Sequence, residues 1–119
     1  MAAPYTILFV EDDTPVREST ALLLAGKGFR LLVADNGYEA LRVVAEEHVD
    51  VLFTDIVMYG MDGIELARRA KLHQPDIKVM FITAYYSRAT EAMQLGKLLL
   101  KPLRGTEIEA ELTQLLATD

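Results

Sequence analysis

Five short apolar runs punctuate the chain, at Ile7–Val10, Leu31–Ala34, Val49–Phe53, Ile77–Ile82 and Leu98–Leu100. Runs this short, rich in Val, Ile, Leu and Phe, predict strands buried on both faces, the pattern of a parallel sheet. The stretches between them carry helical spacing and recognisable ends. Thr14-Pro15 supplies a capping hydroxyl ahead of a proline at the first helical position, and Gly26 and Gly28 close that helix. Asn36-Gly37 opens a second helix with Leu41, Val44 and Ala45 as its apolar positions. Asp62-Gly63 opens a third through Ile64, Ala67 and Ala70, and Pro75 stops the chain beyond it. A fourth helix, weakly patterned, is expected over 87–95. In the last, Thr106 and Glu109 form a capping-box pattern, and Ile108, Leu112, Leu115 and Leu116 make a stripe facing the sheet. Strand and helix alternate five times. Right-handed crossovers then predict a doubly wound, three-layer α/β domain with sheet order 2-1-3-4-5, strand 1 beside strand 3 at the switch point.

At 119 residues, 51% hydrophobic and 25% charged, the chain suits one globular domain spanning 1–119. The absence of cysteine excludes disulfides, thiolate metal sites and a cysteine nucleophile. A net charge of −6 without any Lys/Arg run argues against direct contact with nucleic acid or anionic lipid. Met1-Ala2-Ala3-Pro4 lacks the basic start of a signal peptide, and the run Ala21–Ala25 falls far short of the ~20 residues a membrane helix needs. A cytoplasmic location is expected, with no membrane partner.

In an open α/β sheet, ligands bind beyond the carboxyl ends of the strands at the switch point. There the chain places Glu11-Asp12-Asp13 after strand 1, Asp55 after strand 3, Thr83 after strand 4 and Lys101-Pro102 after strand 5. Crowded carboxylates repel unless a cation intervenes, and Mg²⁺ takes one or two carboxylates completed by water and phosphate oxygens. Asp55 is then a candidate carboxylate nucleophile for a phosphoryl group. Mg²⁺, the Lys101 ammonium and the Thr83 hydroxyl are suited to stabilise the transferring charge. Each residue also has an ordinary structural reading. An acidic triplet is usually a solvated loop, a lone Asp or Thr after a strand a turn residue, and a Lys-Pro step a surface loop. Their coincidence at four neighbouring strand ends favours chemistry, while Asp13 keeps its structural reading at the start of the first helix.

These same residues resemble the receiver domain of bacterial two-component response regulators, and the resemblance runs along essentially the whole chain. It rests on Ile7-Leu8-Phe9-Val10-Glu11-Asp12-Asp13, on Asp55-Ile56-Val57-Met58 with Met61-Asp62-Gly63, on Ile82-Thr83-Ala84 and on Leu100-Lys101-Pro102. The resemblance implies a flavodoxin-like (βα)5 fold with Asp55 as phosphoacceptor. It implies Mg²⁺ held by Glu11, Asp12, Asp55 and the Val57 backbone carbonyl, with Thr83 and Lys101 binding the phosphoryl group. It implies a histidine kinase or histidine phosphotransfer protein as donor, a possible downstream protein partner, and no enzymatic activity beyond self-phosphorylation and autodephosphorylation. A cis Lys101–Pro102 bond, which would turn the ammonium back to the rim, is expected on the same basis. Three departures stand out. Tyr59 occupies a position where the family commonly has proline, Leu98 replaces a common switch aromatic, and the stretch from Thr83 to Lys101 is short. The short stretch also resembles receivers attached to hybrid sensor kinases, and Leu98, having no ring to turn inward, shifts the expected moving segment to Ala84-Tyr85-Tyr86 and the fourth helix.

Two rival classes remain. A receiver-fold binding module could work without phosphorylation, although it could lose the acidic pair, Asp55, Thr83 and Lys101 freely. A small aspartyl-nucleophile phosphohydrolase usually has two aspartates one residue apart after strand 1, whereas Thr14 stands two after Asp12. Gly26-Lys27-Gly28 ends a helix and lacks the spacing of a phosphate loop. His48 and His73, at predicted helix ends, are expected on the surface, and Met58 and Met61 in packing.

Overall fold

The computed structural model describes residues 4–85 and 87–117. Five strands, β1 (Thr6–Val10), β2 (Arg30–Ala34), β3 (Val51–Asp55), β4 (Lys78–Thr83) and β5 (Lys97–Leu100), alternate with five helices. The helices are α1 (Thr14–Leu24), α2 (Gly37–Glu46), α3 (Gly63–His73), α4 (Ala89–Leu95) and α5 (Gly105–Leu116). All strand pairs are parallel and the order is β2-β1-β3-β4-β5, as the alternating pattern predicts.

Period-two alternation divides the core. Leu8, Val10, Leu52, Val79 and Phe81 point to one face, where they pack with α2, α3 and α4 through Val44, Ile64, Ala67 and Ala92. Ile7, Phe9, Val51, Phe53, Met80 and Ile82 point to the other, against Leu24 of α1 and Ile108 and Leu112 of α5. Every residue of β1 and β3 is buried, whereas β2 and β5 have exposed positions, Val33 and Leu100 among them. Burial on both faces thus holds for the interior strands; β2 and β5 are edges, with a neighbour on one side only. The α5 stripe meets the sheet as its spacing predicts. In α2, Gly37, Ala40 and Val44 are the buried positions and Ala45 faces out.

Helix starts are set by side-chain oxygens in three of five cases. Asn36 accepts the Glu39 N–H and Asp62 the Glu65 N–H, as their sequence positions predict. The first helix corrects the expectation. Its cap is Asp13, which accepts the Val16 N–H at 3.0 Å, while Thr14 is already helical and takes a hydrogen bond from Arg17. The last helix corrects it too. It begins at Gly105, so Thr106 lies inside the first turn, and Arg104 at the cap offers no side-chain bond. Helix α4 starts two residues later than expected and also has no side-chain cap. Its cap residue Arg88 instead reaches the Asp62 carboxylate and Glu91, tying the start of α4 to that of α3. This pairing raises the Arg88 pKa. Burial alone would push Asp62 up, but the Glu65 N–H and Arg88 outweigh it and lower its pKa.

Among the described residues no helix is long and apolar enough to cross a membrane. His48 and His73 are exposed and Met58 and Met61 are buried. Tyr86, named with Tyr85 as part of the moving segment, lies outside the described residues.

Candidate functional site

Parallel register brings four strand ends to one rim. Val10 pairs with Thr54, Asp55 with Ile82 and Thr83 with Leu100. The ladders continue one residue further, through Glu11 N–H to Ala34 O and Lys101 N–H to Thr83 O. Glu11, Asp55, Thr83 and Lys101 are therefore placed by backbone hydrogen bonds. Glu11 is 2% exposed, Asp55 6% and Thr83 1%, unusual values for side chains of these types.

Lys101 joins the carboxylates. Its Nζ stands 2.7 Å from Asp55 Oδ2 and 3.2 Å from Glu11 Oε1, linking residues 46 and 90 positions apart in sequence. The Lys101–Pro102 peptide is cis, as expected. Asp55 Oδ1 accepts the Val57 N–H at 3.2 Å, and the Thr83 hydroxyl accepts the Tyr85 N–H at 3.1 Å. Asp12 is directed elsewhere. Its Oδ2 accepts the Tyr59 N–H at 2.8 Å, connecting the β1–α1 and β3–α3 loops.

Burial, followed by the Asp55 charge, pushes the Glu11 carboxyl up to about 7, although Lys101 pulls in the opposite direction. Burial works against the Lys101 charge as well, but the hydrogen bond and field of Asp55 and Glu11 outweigh it and raise its pKa. A site that holds a carboxyl near neutrality beside a second carboxylate gains by accepting positive charge. The carboxylates of Glu11, Asp12 and Asp55 and the Val57 carbonyl are hard oxygens of the chemical kind that Mg²⁺ takes. In the arrangement seen, no three His, Asp or Glu side chains among the described residues are disposed to hold a metal ion. Instead the carboxylates are held by protein donors: Lys101 on Glu11 and Asp55, the Val57 N–H on Asp55, the Asp13 N–H on Glu11 and the Tyr59 N–H on Asp12.

The model of the response regulator receiver domain matches residues 7–113. The chain belongs to this family. CpdR of Brucella abortus, a response regulator receiver protein, is 40% identical over 114 residues, covering 92% of this chain and 95% of that protein. The transcriptional regulatory protein ZraR of Klebsiella oxytoca is 40% identical over 115 residues, which are 93% of this chain but 26% of ZraR. A CheY-like receiver domain protein from Methanospirillum hungatei superimposes with a TM-score of 0.88 at 26% identity, covering 95% of this chain and 94% of that one. The receiver domain of the hybrid histidine kinase CckA has a TM-score of 0.81 at 34% identity, with 93% and 98% covered.

Three contributors to the receiver's rim escaped the sequence reading. Arg17 donates from Nη1 to the carbonyl of Glu11 at 2.9 Å, with the Asp12 carbonyl at 3.5 Å, and so braces the acidic loop. Gly63 lies so close to the strand end that a Cβ there would fall 2.1 Å from the Asp55 carbonyl oxygen. The Tyr59 N–H is the third, and only the missing proline at that position hinted at it. Leu98, at the common aromatic position, packs partly buried against the core beneath α4.

Proposed function

We propose that residues 1–119 form one receiver domain acting as a phosphoacceptor switch, with Asp55 accepting a phosphoryl group from a phosphohistidine. The observation that carries this is the Lys101 ammonium, 2.7 Å from the Asp55 carboxylate and braced by buried Glu11. An Asp55 oxygen would attack phosphorus, the phosphorus–nitrogen bond would break, and its electron pair would leave on the imidazole, which takes up a proton from water. The product is an acyl phosphate. Lys101 would follow the charge onto the phosphoryl oxygens, and the Thr83 hydroxyl would donate to one of them. Glu11, Asp12, Asp55 and the Val57 carbonyl would hold Mg²⁺, which supplies charge neutralisation on the transferring group. Lys101 would give up part of its contact with Asp55 when the phosphoryl group arrives.

The phosphodonor would be a histidine kinase or a histidine phosphotransfer protein, and a downstream protein would read the phosphorylated state. Similarity to the receiver of a hybrid histidine kinase supports a phosphohistidine donor. No activity beyond self-phosphorylation and autodephosphorylation is proposed, and a cytoplasmic setting follows from such a donor. Incubation with acetyl phosphate and Mg²⁺ tests the assignment by intact-protein mass. The wild type should gain one phosphoryl group, while Asp55→Asn should gain none, and EDTA should slow the gain sharply. A binding module would show no gain in the wild type. Phosphorylation of Asp55→Asn at the wild-type rate would refute the acceptor assignment.

A further inference from the structure

The sheet ends at β2, and the backbone there is only half paired. Arg30 donates its N–H to Tyr5 O and Ala34 O accepts the Glu11 N–H, so both residues face β1. A parallel ladder alternates along the strand, with the N–H and C=O of one residue pointing to the same side. Leu32 therefore faces β1 as well, and the N–H and C=O of Leu31 and Val33 point out from the edge. Among the described residues no group bonds to them there. Edge strands are commonly guarded by a lysine, a proline or a bulge. The other edge, β5, opens on Lys97, which pairs with Glu111. In β2 there is no lysine and no proline, its register with β1 runs without a bulge, and Val33 is 43% exposed. Beside it runs a mostly apolar groove between α1 and β2, lined by Glu18, Ala21, Leu22, Ala25 and Leu31, where Leu22 is 76% exposed.

We propose that β2 is a self-association edge, to which a second copy of this chain adds its own β2 antiparallel, joining two five-stranded sheets into one. The register selects a second copy as the occupant. With Leu32 on the twofold axis, Leu31 of one copy stands opposite Val33 of the other, and the two exchange N–H to C=O bonds in both directions. Every outward group of Leu31 and Val33 in both copies is then paired, while Leu32 keeps its bonds to β1. Leu31 packs toward the α1 face, and Val33, two residues on, shares that face. The apolar Leu–Val pair therefore forms twice, each gain repeated by symmetry. An axis perpendicular to the sheet keeps both α1 helices on one side and lays their grooves edge to edge. Arg30, paired with Glu47 in its own copy, comes opposite Ala34 of the other, next to Asp35, so like charges are nowhere opposed along the ribbon. The antiparallel arrangement also directs the two rims to opposite ends of the joined sheet, leaving each Asp55 open.

Sedimentation of the wild type and Val33→Lys, without phosphodonor, tests this. From about 10 μM to about 1 mM, the range of small transient interfaces, the wild type should move from an apparent mass of 13.3 kDa toward twice that value. Val33→Lys should weaken association at least about tenfold, because both Leu–Val pairs are lost and a charge is set against each leucine. Amide hydrogen exchange gives a readout that needs no variant to fold. In the wild type, the Leu31 and Val33 amides should exchange at least about fivefold more slowly at the high concentration than at the low one. The Leu32 amide, bonded to β1, should stay protected at both. A wild type that keeps its single-chain mass throughout would overturn the proposal. So would a Val33→Lys variant that associates as tightly as the wild type, or association that leaves the Leu31 and Val33 amides unprotected.

Discussion

Glu11→Gln should stabilise the metal-free receiver at alkaline pH and leave it nearly unchanged near pH 4.5. Glu11 is 2% exposed and its carboxyl titrates at about 7 in the folded protein, against an ordinary value of 4.5. At 1.36 kcal/mol per unit, that rise corresponds to about 3 kcal/mol. The unfolded chain releases this proton near 4.5 while the folded protein holds it until about 7. Between those values the folded state binds more protons, so stability falls as pH rises, and it levels off above about 7. Glutamine has the same shape, stays neutral throughout and can still accept from Lys101, so it does not suffer that fall. The difference between the two proteins should therefore grow from near zero at pH 4.5 to about 3 kcal/mol at pH 8. Groups that titrate alike in both cancel. Urea unfolding in EDTA at intervals of one pH unit measures it. A difference independent of pH, or a glutamine variant less stable at pH 8, would refute burial as the cause. Saturating Mg²⁺ should shrink the advantage, because a cation that binds only folded wild type stabilises it.

Two further substitutions test the scaffold. Gly63→Ala should lower stability by about 3 kcal/mol in denaturant unfolding, since the new Cβ meets the backbone of Asp55 and Ile56 and has no flexible side chain to displace; a loss below about 1 kcal/mol would mean that the strand end yields easily. Gln74→Ala should reduce stability by about 2–3 kcal/mol, because its amide donates to the Val44 and Glu47 carbonyls and accepts from the Val49 N–H. Acetyl phosphate should still phosphorylate that variant at the wild-type rate, because Gln74 lies at the C-terminal end of α3, away from the rim.

The elements themselves are encoded within short windows. Unbroken apolar runs in β1, β3 and β4, and the side-chain oxygens of Asn36 and Asp62, act over four residues or fewer, so inspection of the chain recovers these elements, and their strand–helix alternation points to the sheet order. Where two neighbours compete for one local role, the window is not enough. Asp13 and Thr14 are both cap residues by type, and the loop geometry after β1 gives the N–H of Val16 to Asp13. Edge exposure in β2 and β5 likewise follows from place in the sheet and not from composition. The rim was legible as a set of residue types because strand ends in a parallel sheet must converge. Their partners were not, because those depend on register, burial and field. Lys101 bridges Glu11 and Asp55 across 90 and 46 positions, and burial among those charges moves the Glu11 proton to near neutrality. The hydrogen bond from Tyr59 to Asp12 spans 47 positions and uses a backbone group that every residue but proline carries. No side-chain pattern could announce it; only the packing of two loops against each other decides which carboxylate that N–H meets.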